Sequence, residues 1–132
     1  RRAKELNPEN KAIGVEPELY QRLNDFNGQD HPSKSIADCL SIPAIPVFNR
    51  LIFEYMDSHL TISEIEMEEA EKILYDQFEV ITEPGGAITL AAAIKSKADT
   101  TQKVALITGG NISPQKFKHY TNKAKHADKA RR

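Results

Sequence analysis

Three junctions in the chain combine acid, hydroxyl or glycine residues in a way that could hold a ligand: Glu16-Pro17, Glu83-Pro84-Gly85-Gly86-Ala87 and Thr108-Gly109-Gly110-Asn111. Each follows a short run of strand character, and open parallel sheets bind ligands at the carboxyl ends of their strands. Glycines there let backbone amides approach a bound group, and a helix beginning near Ala87 would add its N-terminal donors. Taken singly, each junction also fits a bare turn, for which glycine after a strand serves equally well. Cys39 could be a nucleophile, but no histidine stands in a motif near it. His31, His59, His119 and His126 are scattered among polar neighbours and are expected to be exposed. Seven acidic residues between positions 64 and 79 could face a metal or a partner, but at helical spacing they read as a solvated face.

These junctions need elements to position them, and two kinds of segment alternate along the chain. Ala12-Ile13-Gly14-Val15 reads as a buried strand ended by Glu16-Pro17, and Arg1–Leu6 ahead of it as the last turns of a helix stopped by Asn7-Pro8. Glu18–Phe26 could form a short helix before a polar stretch, and prolines at 43 and 46 exclude a regular element across Ser41–Pro46. Val47–Met56 places Val47, Leu51, Ile52 and Tyr55 on one helical face. Leu60-Thr61-Ile62 is a possible strand, after which Ser63 and Glu66 form a capping box. The helix that follows sets Met67, Ala70, Ile73, Leu74 and Phe78 at spacings of three and four, with its acids mostly on the other face. Glu79–Thr82 is β-like, Ala87–Lys97 an alanine-rich helix, and Lys103–Thr108 the best strand in the chain. Ser113 can cap a last helix that has Pro114 at its first position. The pattern predicts an α/β fold, three-layered with a mostly parallel sheet. Strands are expected near 12–15 and 103–107, and helices near 64–78, 86–97 and 114–126.

Composition narrows the class further. At 132 residues the chain is one ordinary domain or part of a larger one. No apolar run approaches the 18 or so residues of a membrane span, and no apolar segment follows the N-terminal arginines as in a signal peptide. A single cysteine excludes a disulfide framework, so a soluble protein of the cytoplasm or another reducing compartment is expected. The net charge of −1 hides an asymmetry, because residues 116–132 carry a net of +6. That basic tail could contact nucleic acid, but its single aromatic pair, Phe117 and Tyr120, favours a solvated terminal helix; no nucleic-acid partner is expected.

The order of the motifs says more than any one of them. Gly14-Val15-Glu16-Pro17 is followed by Ser35-Ile36-Ala37-Asp38, by Ser63-Glu64 opening an acidic helix, by Glu83-Pro84-Gly85-Gly86-Ala87 leading into Leu90-Ala91-Ala92-Ala93, and by Ile107-Thr108-Gly109-Gly110-Asn111. This succession, over about residues 3 to 118, resembles the C-terminal part of the catalytic domain of pyridoxal-phosphate enzymes of the threonine dehydratase and serine racemase family. The resemblance implies an incomplete fold-type-II layer structure, pyridoxal phosphate as cofactor, threonine or serine as substrate, and dehydration with deamination to a 2-oxoacid. Thr108 matches the residue whose hydroxyl bonds the pyridine nitrogen, Gly109 begins the Gly-Gly-Asn turn after it, and Glu83 matches a glutamate beside the ring. Asp38 matches the Asp of Ile-Ala-Asp-Gly, whose glycine lies close to the cofactor; Cys39 stands there instead, and Gly85 stands where serine is commoner. Glu16 matches a carboxylate that helps hold a structural divalent cation in several relatives, but Arg22 falls near its partner position, and a hard cation needs several oxygens. No metal is expected.

In that family the Schiff-base lysine, the substrate-carboxylate loop and the glycine-rich phosphate cradle lie in the N-terminal half. No lysine here has the Ser-Phe-Lys context, so the 132 residues are expected to supply one wall of an active site and no catalytic lysine. A fragment, a split subunit or a truncated product would all fit, as would an oligomer. The rival reading is a non-catalytic remnant or interaction module; a weaker one is a nucleic-acid binder acting through Lys116–Arg132.

Overall fold

The computed structural model describes residues 2–23, 34–43, 45–96 and 102–130, with side chains in the last helix described through residue 122. His31, the side chain of His126 and the expected helical residues 24–26 lie outside them. A short helix α1 (Arg2–Leu6) leads to strand β1 (Ile13–Pro17). Helix α2 (Pro46–Tyr55) precedes β2 (Ser58–Ile62), and helices α3 (Glu64–Phe78), α4 (Pro84–Lys95) and α5 (Pro114–Ala130) complete the described order. β1 and β2 pair in parallel, from Ile13 opposite Ser58 to Pro17 opposite Ile62. Parallel pairing needs a crossover between the strands, and α2 lies within that connection. The α/β reading of the sequence therefore holds. No helix of the described residues is long and apolar enough to cross a membrane.

The core forms where α3 and α4 pack together and against the sheet. Ile62, Met67, Ala70 and Leu74 meet Ala87, Ile88, Ala91 and Ala92, with Ala37 joining from a loop. Alanines four apart on α4 let the two helices approach closely. The expected capping box starts α3: the Glu66 N–H donates to Ser63 Oγ at 3.4 Å, and the Ser63 N–H donates to Glu66 Oε2 at 2.8 Å. Lys95 near the end of α4 then donates to Thr61 O at 3.0 Å and to Glu66 Oε2 at 3.2 Å, tying β2, α3 and α4 together. Helix α5 begins at Pro114 as expected, with the Lys116 N–H on Ser113 Oγ at 3.3 Å, and docks on α3 through an edge-to-face Tyr75–Phe117 contact at 5.1 Å.

Helix α3 ends at Glu79, which adopts the left-handed conformation (φ 56°) that side chains disfavour. Its N–H bonds Tyr75 O, and the Val80 N–H bonds Leu74 O, so the geometry is one that glycine commonly fills. Glu79→Gly is expected to stabilise the fold by about 0.5–1 kcal/mol, the relief of strain less the greater entropy of an unfolded glycine. A urea melt measures it.

Several expectations need correction. Lys103–Thr108 forms no regular element and pairs with no strand among the described residues. Lys103, Ala105 and Ile107 are half-buried, while Val104 and Leu106 are 93% and 72% exposed. The alternation is that of a strand, but a strand also needs a neighbour's backbone, and β1 pairs only β2 in the described sheet. Glu79–Thr82 is likewise irregular, because the left-handed Glu79 turns the chain directly toward α4. Residues 18–23 make a turn and no helix: the Tyr20 N–H bonds Pro17 O, and the amides of Arg22 and Leu23 are captured by the Glu16 carboxylate. On α2 the apolar residues Val47, Phe48, Leu51 and Ile52 face outward, and Asn49 is the buried one, donating to Arg22 O at 3.0 Å.

Helix α3 also departs from its expected face. Met67, Ala70 and Leu74 are buried as predicted, but Phe78 is 64% exposed, whereas Glu68 and Glu71 are buried.

Candidate functional site

Two of the three sequence junctions converge. The Glu83–Ala87 segment opens α4, with Glu83 at the N-cap and Pro84 in the first turn, where its missing N–H leaves no bond unmade. The Thr108–Gly110 segment lies against it. Gly86 approaches the Thr108 carbonyl so closely that an added Cβ would sit 1.7 Å from that oxygen. Gly109 is left-handed (φ 68°), and a Cβ there would fall 2.4 Å from Glu83 Oε1. Both positions therefore require glycine, one for backbone approach and one for conformation. Thr82, fully buried, donates its hydroxyl to Thr108 O at 2.7 Å, and Thr89 on α4 donates to Leu106 O at 2.9 Å.

The Asp38–Leu40 turn, a single turn of 3-10 helix, brings Cys39 to the same place. The first turn of α3 holds the approach to it: Ser35 Oγ donates to Glu64 Oε1 at 2.8 Å, and the Ile36 N–H to Glu64 Oε2 at 2.7 Å. Ser35 Oγ in turn accepts from the Ala37 N–H. From the other side Lys116 reaches Asp38 at 3.5 Å, with both side chains largely exposed. The fold thus brings together Thr108, Gly109, Glu83 and Cys39. Their sequence context gave no warning of Thr82, Thr89 or the pinning role of Glu64, although a threonine directly before Glu83, in an otherwise apolar run, was a usable signal.

Cys39 and Gly85, the two departures from the family pattern, fit one another. A Cβ on Gly85 would lie 2.5 Å from Cys39 Sγ, so the thiol occupies room that a serine at 85 would claim. Desolvation, then the negative charges of Glu83 and Asp38, push the thiol above its ordinary value, which argues against a nucleophilic role. Gly85→Ser is expected to force Cys39 off its rotamer at a cost of about 1 kcal/mol, and Cys39→Gly to remove that cost. A double-mutant cycle of denaturation midpoints would show this coupling.

Glu16 does not join the site. It is buried, with Oε2 accepting from the Arg22 N–H at 2.7 Å and the Leu23 N–H at 2.9 Å, while Oε1 has no hydrogen bond among the described residues and lies 3.9 Å from His59 Nε2. His59 is half-buried, where exposure was expected, and His119 is exposed. Among the described residues no group of three or more His, Cys, Asp or Glu side chains could hold a metal ion.

One open wall remains: the exposed Thr108 side chain, the bare backbone of Gly109 and Gly110, and the half-buried Glu83 beside them. A neutral hydroxyl and a carboxylate bordering a side-chain-free surface suit the edge and face of a flat heteroaromatic ring. Pyridoxal phosphate fits that donor set as far as the wall extends.

Comparison with known proteins agrees. The family model described as "Pyridoxal-phosphate dependent enzyme" matches residues 1–109. Serine racemase of Dictyostelium discoideum is 33% identical over 121 residues, covering 83% of this chain and 37% of that protein. L-threonine ammonia-lyase of Thermotoga maritima is 30% identical over 128 residues, covering 91% and 32%. Among solved structures, the T.th. threonine deaminase superposes with a TM-score of 0.74 at 29% identity, over 84% of this chain and 43% of that one. The chain spans about a third of the length of these curated relatives.

Proposed function

The chain belongs to the pyridoxal-phosphate dependent enzyme family, and from that premise we propose that it forms the ring-binding wall of a threonine or serine dehydratase, an ammonia-lyase that converts a hydroxy-amino acid to a 2-oxoacid. The convergence of Thr108, Gly109 and Glu83 on one open surface carries this reading. When bound, the cofactor supplies electron withdrawal from the amino acid's α-carbon, which loss of the β-hydroxyl and of ammonia requires. Thr108 offers the pyridine nitrogen a neutral hydroxyl, a partner that leaves this nitrogen largely unprotonated and suits β-elimination. Glu83, its carboxylate packed on Gly109, would border the ring. Gly109 and Gly110 keep the backbone clear of side chains where the ring would bind. The Asp38–Leu40 turn closes one side, held by Glu64.

The covalent lysine and the phosphate-binding amides fall to residues other than these. The 132-residue chain mixed with pyridoxal phosphate and threonine or serine is therefore expected to release no 2-oxoacid. A longer polypeptide read from the frame upstream of Arg1 is expected to carry a Ser-Phe-Lys-type motif and to show turnover. An upstream frame without such a lysine would sink the enzyme reading.

A second reading, an interaction module without catalysis, draws on the exposed Val47, Phe48, Leu51 and Ile52 of α2 and the exposed Val104 and Leu106. Such surfaces are commonly covered by another polypeptide. It predicts self-association of the purified chain together with no turnover from any longer form.

A further inference from the structure

We propose that Thr82 is a positioning residue for the site: its hydroxyl fixes the peptide that joins Thr108 to Gly109 and so aims the Thr108 side chain at the cofactor ring. The inference rests on the ring-binding reading above and adds to it a residue with no place in the family motif. The Thr108 segment pairs with no strand among the described residues, and side chains from the α4 region bond its carbonyls. Carbonyls two apart in an extended segment point the same way, and those of Leu106 and Thr108 meet the hydroxyls of Thr89 at 2.9 Å and Thr82 at 2.7 Å.

The two bonds differ in consequence. Thr89 holds a carbonyl two residues short of the site, whereas Thr82 holds the carbonyl of the site residue itself. Thr82 is fully buried, so water cannot replace its hydroxyl, and it also reaches Glu83 O at 3.2 Å. Gly86 presses on the same carbonyl from the helix side: a Cβ there would lie 2.2 Å from Thr82 Oγ1 as well as 1.7 Å from Thr108 O. Two adjacent residues thus act on two adjacent residues, Thr82 on Thr108 and Glu83 on Gly109. With the Thr82 bond removed, the Thr108–Gly109 peptide plane keeps only packing contacts from Gly86 and Glu83, and the side chain loses its fixed direction.

The test compares Thr82→Val, of equal shape but without the hydroxyl, with Thr82→Ser, which retains it. The readouts are the heteronuclear NOE of the Gly109 amide and the dissociation constant for deoxypyridoxine phosphate, an analogue that has the cofactor's ring but no aldehyde to react with lysines. The expected result is a lowered NOE at Gly109 and about five- to tenfold weaker binding in Thr82→Val, the effect of one buried neutral hydrogen bond. Thr82→Ser is expected to stay within about twofold of the parent chain. An unchanged Gly109 NOE in Thr82→Val overturns the positioning role whether or not the analogue binds. So does a Thr82→Ser variant no better than Thr82→Val. A lowered NOE with no analogue binding by the parent chain would instead remove the ring-binding reading, and the cofactor role of Thr82 with it.

Discussion

Gly86→Ala is expected to push Thr108 off α4 and to destabilise the fold by about 2–3 kcal/mol, despite the roughly 1 kcal/mol that alanine gains over glycine in a helix. The added methyl would stand 1.7 Å from a backbone oxygen and 2.2 Å from the Thr82 hydroxyl, and backbone cannot rotate away as a flexible side-chain tip can. The same loop contains its own controls. Gly109→Ala meets Glu83 Oε1 at 2.4 Å in a left-handed residue, and is expected to cost about 1–2 kcal/mol. Gly110→Ala meets only Ile81 O at 3.4 Å, an ordinary contact, and should stay within about 0.5 kcal/mol of the parent chain. Denaturant midpoints for the three variants measure the ranking. Equal effects at 86 and 110 would show that Thr108 does not pack where it is described.

Glu71 is expected to make the fold lose stability as pH rises. It is fully buried on α3, neither carboxylate oxygen has a hydrogen-bond partner among the described residues, and desolvation, followed by the charge of Glu68, raises it from 4.5 to about 8. The native state therefore keeps a proton that the unfolded chain releases. The contribution of Glu71 to stability is greatest below about 4.5, falls through the window up to about 8 and levels off above it. Within the window the slope from this residue approaches ~1.4 kcal/mol per pH unit. Glu71→Gln, uncharged throughout, is expected to remove that slope, and Glu71→Leu to remove it while also stabilising the chain at neutral pH. Urea melts from about pH 4 to about pH 9, spanning both ends of the window, test this. A Glu71→Gln variant that keeps the parental slope would show that Glu71 is ionised in the native state.

Much of the architecture was legible because local signals and tertiary packing agree. Ser63 with Glu66 marked the start of α3, Pro114 after Ser113 the start of α5, and the apolar runs at 12–15 and 60–62 overlap the two paired strands, Ile13–Pro17 and Ser58–Ile62. Glu71 escaped because a glutamate on an acidic helix is ordinarily solvated. Its spacing from Met67 and Leu74, four and three residues away, nevertheless puts it on the buried stripe. Lys103–Thr108 misled for a different reason: alternation reports which side chains face the core, whereas strand pairing depends on a neighbour that the segment's own sequence does not encode. Residues 18–23 were lost to helix because the buried Glu16 carboxylate binds two of their amides, a contact of six and seven residues' separation. At the candidate site, motif order points to Thr108, Glu83, Gly109 and Cys39, which the fold brings near one another. The mutual fit of Cys39 with Gly85 and the hydroxyl of Thr82 are three-dimensional facts with only faint traces in the sequence.

Thr108, Gly109 and Glu83 are proposed to form a surface for the pyridine ring of pyridoxal phosphate. The most direct test is a titration of the nitrogen-15-labelled chain with deoxypyridoxine phosphate, followed by amide chemical shifts. The expected result is saturable shifts at Glu83, Gly85, Gly86 and Thr108 to Asn111, with Cys39 included, all abolished by Thr108→Val. Shifts confined to the lysines of residues 116–132, with Gly109 and Gly110 unmoved, would contradict it.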